Sequence, residues 1–286
     1  MHARIIHNDR LLELSKAHLP AFSSATLYGR GVFTTLAVYR GHPFLWPEHW
    51  ARLVEHAGRC GVRTTGHFNQ ESVGRALGSL IKENGVQEGR ARVTLLTRAV
   101  RGVWKERGAG GGAETDLLIM TGDARAVPEE GLAVTLSPYR LSTLSPLAGV
   151  KSVNYLEHVI AWEEVHARDF HESIVLNERG EIVSAAMANL FWVTRGTLHT
   201  PALATGALAG TTRARLIALA EELAIPFVEG TYDTSDLSDA DEIFLTSSTH
   251  GVGLVTTYDF HRYAVSAGSV ALRLREAFRQ LVLNSG

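Results

Sequence analysis

The order of predicted elements places this chain in the α/β (α+β) class, as two α/β domains in succession. Three observations support that reading. Strand-like and helix-like patterns alternate over the first 120 residues. A polar stretch at 121–131, containing Pro128, interrupts them. Beyond it, short hairpins follow one another between helical segments. The domain bounds read as 1–122 and 132–286, with 123–131 as linker.

Each element has its own signal. Val32 to Tyr39 and Pro43 to Trp46 read as a hairpin around Arg40-Gly41-His42. Pro47 opens a helix in which Trp50, Leu53, Val54, Ala57 and Cys60 recur at helical spacing, and Gly61 stops it. That spacing puts Arg52 on the opposite, solvated side. A second helix covers residues 70–84. Arg92 to Val100 and Asp116 to Thr121 read as paired strands flanking Gly108-Ala109-Gly110-Gly111-Gly112. The glycine run lacks the Gly-Lys-Ser/Thr ending of a phosphate cradle and leads into a strand, so it reads as a mobile hairpin loop. In the second half, Leu132 to Ser137 is a strand, and Leu156, Val159, Ile160 and Ala167 mark a helix. Ser173 to Leu176 pairs with Glu181 to Ser184, and Leu190 to Val193 with Thr197 to Thr200. Ala207-Leu208-Ala209-Gly210-Thr211-Thr212-Arg213 opens a helix carrying Leu216, Leu219, Ala220 and Leu223. Short strands lie near Phe227 and at Glu242 to Leu245, and Leu272 to Leu283 is a closing helix.

Composition narrows the function classes. The net charge of −2, with both signs mixed along 286 residues, argues against nucleic acid as the main partner. The N-terminal stretch has no apolar h-region, and no apolar run is long enough to span a bilayer, so the expectation is a cytoplasmic protein without a membrane partner. The single cysteine, Cys60, excludes an internal disulfide. The 13 histidines form no zincin pattern, and no metal site is expected.

The residues with chemical promise are few. Only four lysines stand among the 28 cationic side chains, and Lys151 alone lies between an apolar run and a helix start. A buried lysine loses its proton readily, and a neutral amine reacts with carbonyl groups. Gly210-Thr211-Thr212 offers either an anion site at a helix N-terminus or an ordinary threonine cap. Ser247-Ser248-Thr249 offers hydroxyls for the same anion, or plain loop polarity. A lone buried lysine and an anion site are together compatible with pyridoxal phosphate, although the residues alone leave the bland readings open.

Several motifs reinforce one another. Tyr28-Gly29-Arg30-Gly31-Val32-Phe33, Glu48-His49-Trp50-Ala51-Arg52-Leu53, Leu147-Ala148-Gly149-Val150-Lys151, Ala188-Asn189-Leu190-Phe191-Trp192 and Leu208-Ala209-Gly210-Thr211-Thr212-Arg213 span the chain. Together they resemble the fold-type IV pyridoxal-phosphate enzymes, which comprise branched-chain and D-amino-acid aminotransferases and 4-amino-4-deoxychorismate lyases. The resemblance implies a smaller N-terminal α/β domain and a larger, β-barrel-like C-terminal domain with helices, paired as a homodimer. It implies that Lys151 holds the cofactor and that Arg52, Thr211, Thr212 and Ser248 bind its phosphate. It places Leu208 in the phosphate turn and Tyr155 near the cofactor's phenolic oxygen. Two positions depart from the family pattern. Arg30 replaces an Asp, and Ser184 stands where a Glu pairs with the pyridine nitrogen. A serine cannot hold the pyridinium proton through charge, which suits elimination better than transamination.

Within that family Phe33-Thr34-Thr35 looks closest to the lyase. Transaminases carry a glutamate at the position of Thr34, and the lyase is thought to use a threonine at that of Thr35 for proton transfer. The expected small-molecule substrate is 4-amino-4-deoxychorismate, cleaved to 4-aminobenzoate and pyruvate on the way to folate. Lys151 and Thr35 would be catalytic, with Arg30, Arg98 and Arg101 as candidates for the substrate carboxylates. An aminotransferase is the alternative, and a non-catalytic binding protein on the same fold is a third.

Overall fold

The computed structural model describes residues 1–64, 67–98, 115–128, 130–264 and 266–285. Arg101 and the glycine run 108–112 lie outside them. The architecture is mixed α/β, as expected, and forms two compact units. One consists of Met1–Arg125 with Val150–Tyr155, the other of Ala126–Gly149 with Leu156–Ser285.

The first unit contains β1 (Arg4–His7), β2 (Arg10–Glu13), α1 (Ser24–Tyr28), β3 (Gly31–Tyr39), β4 (His42–Pro43), α2 (Trp46–Arg59), α3 (Gln70–Glu83), β5 (Gly89–Thr97) and β6 (Thr115–Asp123). Its sheet has the order β2-β1-β6-β5-β3-β4, with every pair antiparallel. The β3–β4 turn is tighter than the sequence suggested. Arg40 and Gly41, at φ 50° and 78°, make it alone, so His42 already belongs to β4. Pro sits in the first turn of α2, and Asn69 and Ser72 form a capping box on α3. Val32, Leu36 and Val38 of β3 join Trp50, Leu53 and Ala57 of α2 and Leu77, Leu80 and Ile81 of α3 in one core. The apolar stripe of α2 is therefore buried as predicted. Arg52, however, is also buried, at 8% exposure, which corrects its placement on a solvated face.

The second unit contains β7 (Leu132–Leu141), α4 (Leu156–His166), β8 (Glu172–Asn177), β9 (Ile182–Ala185), β10 (Asn189–Thr194), β11 (Thr197–Pro201), α5 (Thr211–Glu222), β12 (Phe227–Gly230), α6 (Thr234–Ser238), β13 (Glu242–Ser247), β14 (Gly251–Tyr258), β15 (His261–Arg262) and α7 (Val270–Asn284). Its sheet runs β12-β11-β10-β13-β14-β7-β8-β9, with β15 on β14. The β11–β12, β14–β7 and β7–β8 pairs are parallel. The end strand β9 returns to touch β10 and β11, so the sheet curls. Leu132, Ile174, Ile182, Leu190, Trp192, Ile243, Leu245 and Val255 share the core it encloses. In α4 the marking residues are partly outward, with Leu156 at 62% and Ile160 at 40% exposure, while Ala161 and Val165 are buried. Apolar residues occur almost all round this helix, so their spacing does not single out one face.

Candidate active site

Lys151 is placed by strand pairing over a long sequence distance. The segment 151–153 lies antiparallel to the start of β3, with a bridge between Val32 and Ser152. Phe33 N donates to the Lys151 carbonyl at 2.9 Å, and Val153 N donates to the Gly31 carbonyl at 3.0 Å. On the other side, Lys151 N donates to His56 Nδ1 at 3.1 Å. The side chain then extends between two aromatic rings. Nζ lies 4.7 Å from the Phe33 ring centre and 4.6 Å from that of Tyr155. It donates a long hydrogen bond of 3.4 Å to the Tyr155 hydroxyl. The two rings meet edge to face at 5.4 Å.

Side chains alternate across a strand, which sorts the neighbours. Phe33 and Thr35 share one face of β3. Thr34 lies on the other with Val32 and Leu36. Arg92 of β5 stands opposite Thr35 in register, and its guanidinium lies 3.6 Å from the Phe33 ring centre. Thr34, fully buried, accepts a 3.0 Å hydrogen bond from Arg52 Nη2, and its Oγ1 lies 2.6 Å from His49 Nδ1.

The electrostatics follow from burial among cations. Burial lowers the Lys151 amine to about 7, and Arg52 and then Arg92 add to the shift. Burial holds the Arg52 and Arg92 guanidinium groups at about 10. It also pushes His49 well below its ordinary value, with help from Arg52 and Lys151. The result is an amine that exchanges its proton near neutrality beside two guanidinium groups.

The other sequence candidates of this unit stand elsewhere. Arg98 Nε donates to buried Asp116 at 3.1 Å, and Asn8 Nδ2 donates to the same carboxylate at 2.9 Å. Arg30 uses its backbone carbonyl to accept from Thr97 N at 3.1 Å.

In the second unit, the first residue of α5 is Thr211 and the cap is Gly210, with no side chain capping it. The threonine-cap alternative is thereby set aside. The dipole of α5 favours an anion at this end. Thr211 Oγ1 lies 3.2 Å from Ser248 Oγ, and Thr212 is buried. Asn189 Nδ2 donates to the Leu208 carbonyl at 2.9 Å and fixes the turn before the helix. A Cβ on Gly210 would collide with Asn189 Oδ1, so alanine here would displace the Asn189 side chain that fixes the turn. Ser184 is buried on β9, and its hydroxyl donates to the Ala185 carbonyl at 2.8 Å, leaving only lone pairs for another partner. Among the described residues no cluster of three or more metal-ligating side chains occurs.

Sequence reasoning passed over Arg92, His49 and His56. Arg92 had a signal, since it alternates with buried Ala91 and Val93 on a central strand. His49, Arg52 and His56 recur at steps of three and four on α2, a polar stripe beside the apolar one.

The first unit thus holds an amine of lowered proton affinity, and the second a helix start with no side-chain cap. Residues 31–258 match the class IV amino-transferases, and the chain belongs to that family. It is 28% identical to aminodeoxychorismate lyase of Bacillus subtilis, over 97% of this chain and 94% of the relative. It is also 28% identical to D-alanine aminotransferase of Listeria innocua, over 90% of this chain and 88% of the relative. The crystal structure of branched-chain aminotransferase from Thermoproteus uzoniensis superposes with a TM-score of 0.90 at 25% identity, covering 99% of this chain and 96% of that one. The family's cofactor is pyridoxal 5′-phosphate. Each unit by itself has residues that fit part of that group: in the first, a lysine of lowered proton affinity suits its aldehyde and buried Arg52 suits a phosphate; in the second, the start of α5 suits a phosphate.

Proposed function

We propose that this enzyme is a lyase that converts 4-amino-4-deoxychorismate to 4-aminobenzoate and pyruvate, a step toward folate. The observation that carries the enzyme class is the Lys151 amine, held between Phe33 and Tyr155 and pushed down to about 7 by burial; Thr34-Thr35 and Ser184 favour the lyase within it. Such a group accepts a proton and gives it back near neutral pH, which elimination requires. Bound pyridoxal phosphate supplies an aldehyde for amines and a ring that accepts electrons.

The chain's own residues do the rest. Lys151 removes the substrate-ring proton next to the amine. Thr35, on the Phe33 face of β3, hands a proton toward the leaving pyruvate. Tyr155, whose hydroxyl accepts from Lys151 Nζ, would lie near the cofactor's phenolic oxygen. By the family resemblance, Arg52 of the first unit would hold the phosphate, as would Thr211 and Thr212, in the turn that follows Leu208, and Ser248, just after β13, of the second. Arg30, Arg98, Arg101 and Arg92 are the candidates for the substrate carboxylates. Of those described, Arg92 is the one that faces Lys151, whereas Arg98 already pairs with Asp116. Ser184 favours elimination, because without a carboxylate at the pyridine nitrogen the ring is a weaker electron sink. The enzyme acts as a homodimer on this reading, and exposed Leu156 and Ile160 on α4 offer apolar surface for it.

The likeness to the two aminotransferases favours a second reading, an aminotransferase that needs a 2-oxo acid acceptor. Product analysis separates the two. The lyase releases 4-aminobenzoate and pyruvate in equal amounts with no 2-oxo acid present, and Ser184→Glu raises transamination more than 4-aminobenzoate formation. Rapid wild-type transamination with little 4-aminobenzoate would replace the first reading by the second.

A further inference from the structure

We propose that His56 is a positioning residue for Lys151, its Nδ1 holding the Lys151 backbone amide so that the amine is presented between Phe33 and Tyr155. This rests on the reading of Lys151 as the working amine. The geometry is a two-sided clamp. The Lys151 carbonyl accepts from Phe33 N of β3 at 2.9 Å, and its amide donates to His56 of α2 at 3.1 Å. Both peptide groups flanking the Lys151 α-carbon are thereby fixed, one to the sheet and one to the helix. A four-carbon side chain multiplies any rotation at its root, so a loosened α-carbon moves Nζ away from the rings.

The clamp also sets the histidine's chemistry. Nδ1 accepts, so the ring proton is on Nε2 and the ring is neutral. A protonated ring would present a second donor to the Lys151 N–H. The charged groups acting on His56 are Arg52 and Arg59 from its own helix and Lys151 from the facing segment. Together with burial they lower it to about 4. His56 is 2% exposed, so no bulk water replaces it as acceptor. The contact is non-local, 95 residues apart in sequence, and belongs to the family of placements that only the folded chain creates.

Two variants of the cofactor-loaded enzyme test this. His56→Leu keeps much of the bulk and loses the acceptor. His56→Asn loses bulk and keeps an acceptor oxygen near Nδ1. The readouts are the midpoint of the pH titration of the bound cofactor's absorbance and the fraction of chain that borohydride labels at Lys151. We expect His56→Leu to move the midpoint by at least about 0.7 unit, roughly fivefold, as one lost hydrogen bond would. We expect labelling of Lys151 to fall with it, and His56→Asn to stay with the wild type in both readouts. If His56→Leu does not fold, His56→Asn decides alone, a wild-type midpoint supporting the inference and a shifted one overturning it. A wild-type midpoint in His56→Leu, or rescue by Leu and not by Asn, assigns His56 to packing and overturns the inference. Wild-type labelling at Lys16, Lys82 or Lys105 instead of Lys151 overturns the underlying reading, and this inference with it.

Discussion

Replacing Lys151 by methionine removes an amine and keeps an unbranched side chain of similar reach. In an unfolded chain that amine binds its proton with the ordinary value of 10.5, and in the folded chain at about 7. Between those values the unfolded state holds a proton that the folded state has lost, so stability from this group rises with pH. Below about 7 both states are protonated and folding bears the whole cost of the buried charge. Above 10.5 neither is, and the cost is gone. The difference, 10.5 less about 7, is about 3.5 units, and each unit is worth about 1.4 kcal/mol, which sets a ceiling of about 5 kcal/mol. Lys151 is only partly buried as a residue, so water screens part of this, and about 2–3 kcal/mol is the expected span. The assay is urea unfolding of cofactor-free wild type and Lys151→Met at about pH 6.5, 8 and 9.5. The variant should be the more stable at the lowest pH, and its advantage should shrink by roughly 1 kcal/mol per unit above neutrality. A difference that stays constant across the series would refute a depressed Lys151.

Two further outcomes follow from the geometry. Arg52→Ala should weaken cofactor binding by about tenfold or more in a fluorescence titration, because a charged contact to phosphate is lost, whereas exposed Arg59→Ala on the same helix should leave it near wild type; equal affinities would return Arg52 to a structural role. Gly210→Ala should destabilise the second unit by about 2 kcal/mol or more through collision with Asn189, and Asn189→Ala in the same chain should recover part of that; an unchanged urea midpoint in the single variant would show that the turn yields.

Much of the fold was legible because local signals agreed with it. Pro47, the Trp50–Leu53–Ala57 spacing and Gly61 delimit α2 to within a residue or two. The same spacing misplaced Arg52, since a helix covered on two sides buries a second, polar stripe. What covers that stripe includes Thr34 of β3 and the amide of Lys151, contacts that periodicity within one helix does not encode. Strand β14 went unseen because Gly251 and Gly253 suppress strand propensity. Both glycines serve close approach, Gly251 against the Phe278 ring at φ 61° and Gly253 against Leu132. The β1–β2 hairpin is short and turns at Asn8, at φ 56°, a conformation that asparagine tolerates but that leaves little pattern in four-residue strands. At the site, motif resemblance nominated Lys151, Arg52 and Tyr155. Arg92 was readable from strand alternation and His56 from its three-and-four spacing with His49 and Arg52, but the contact of His56 with Lys151 only from the structure.

The pairing of residues 151–153 with the start of β3 closes a very long loop. Ser152 Oγ donates to the Gly31 carbonyl across 121 residues of sequence. By chain statistics, closing such a loop costs only about 0.6 kcal/mol more than closing one of half the length, yet it must come late, after most of the chain exists. During synthesis, therefore, Gly31 and Phe33 wait at the rim of their sheet while the whole of β5 and β6 assembles beside them. The amine takes its place only when the six-residue segment 150–155 returns to the first unit. A fragment cut after Arg125 would carry Arg52, His56, Phe33 and Arg92 around an edge with no lysine on it. Supplying a peptide of residues 150–155 to that fragment asks whether the edge is already shaped for its missing strand.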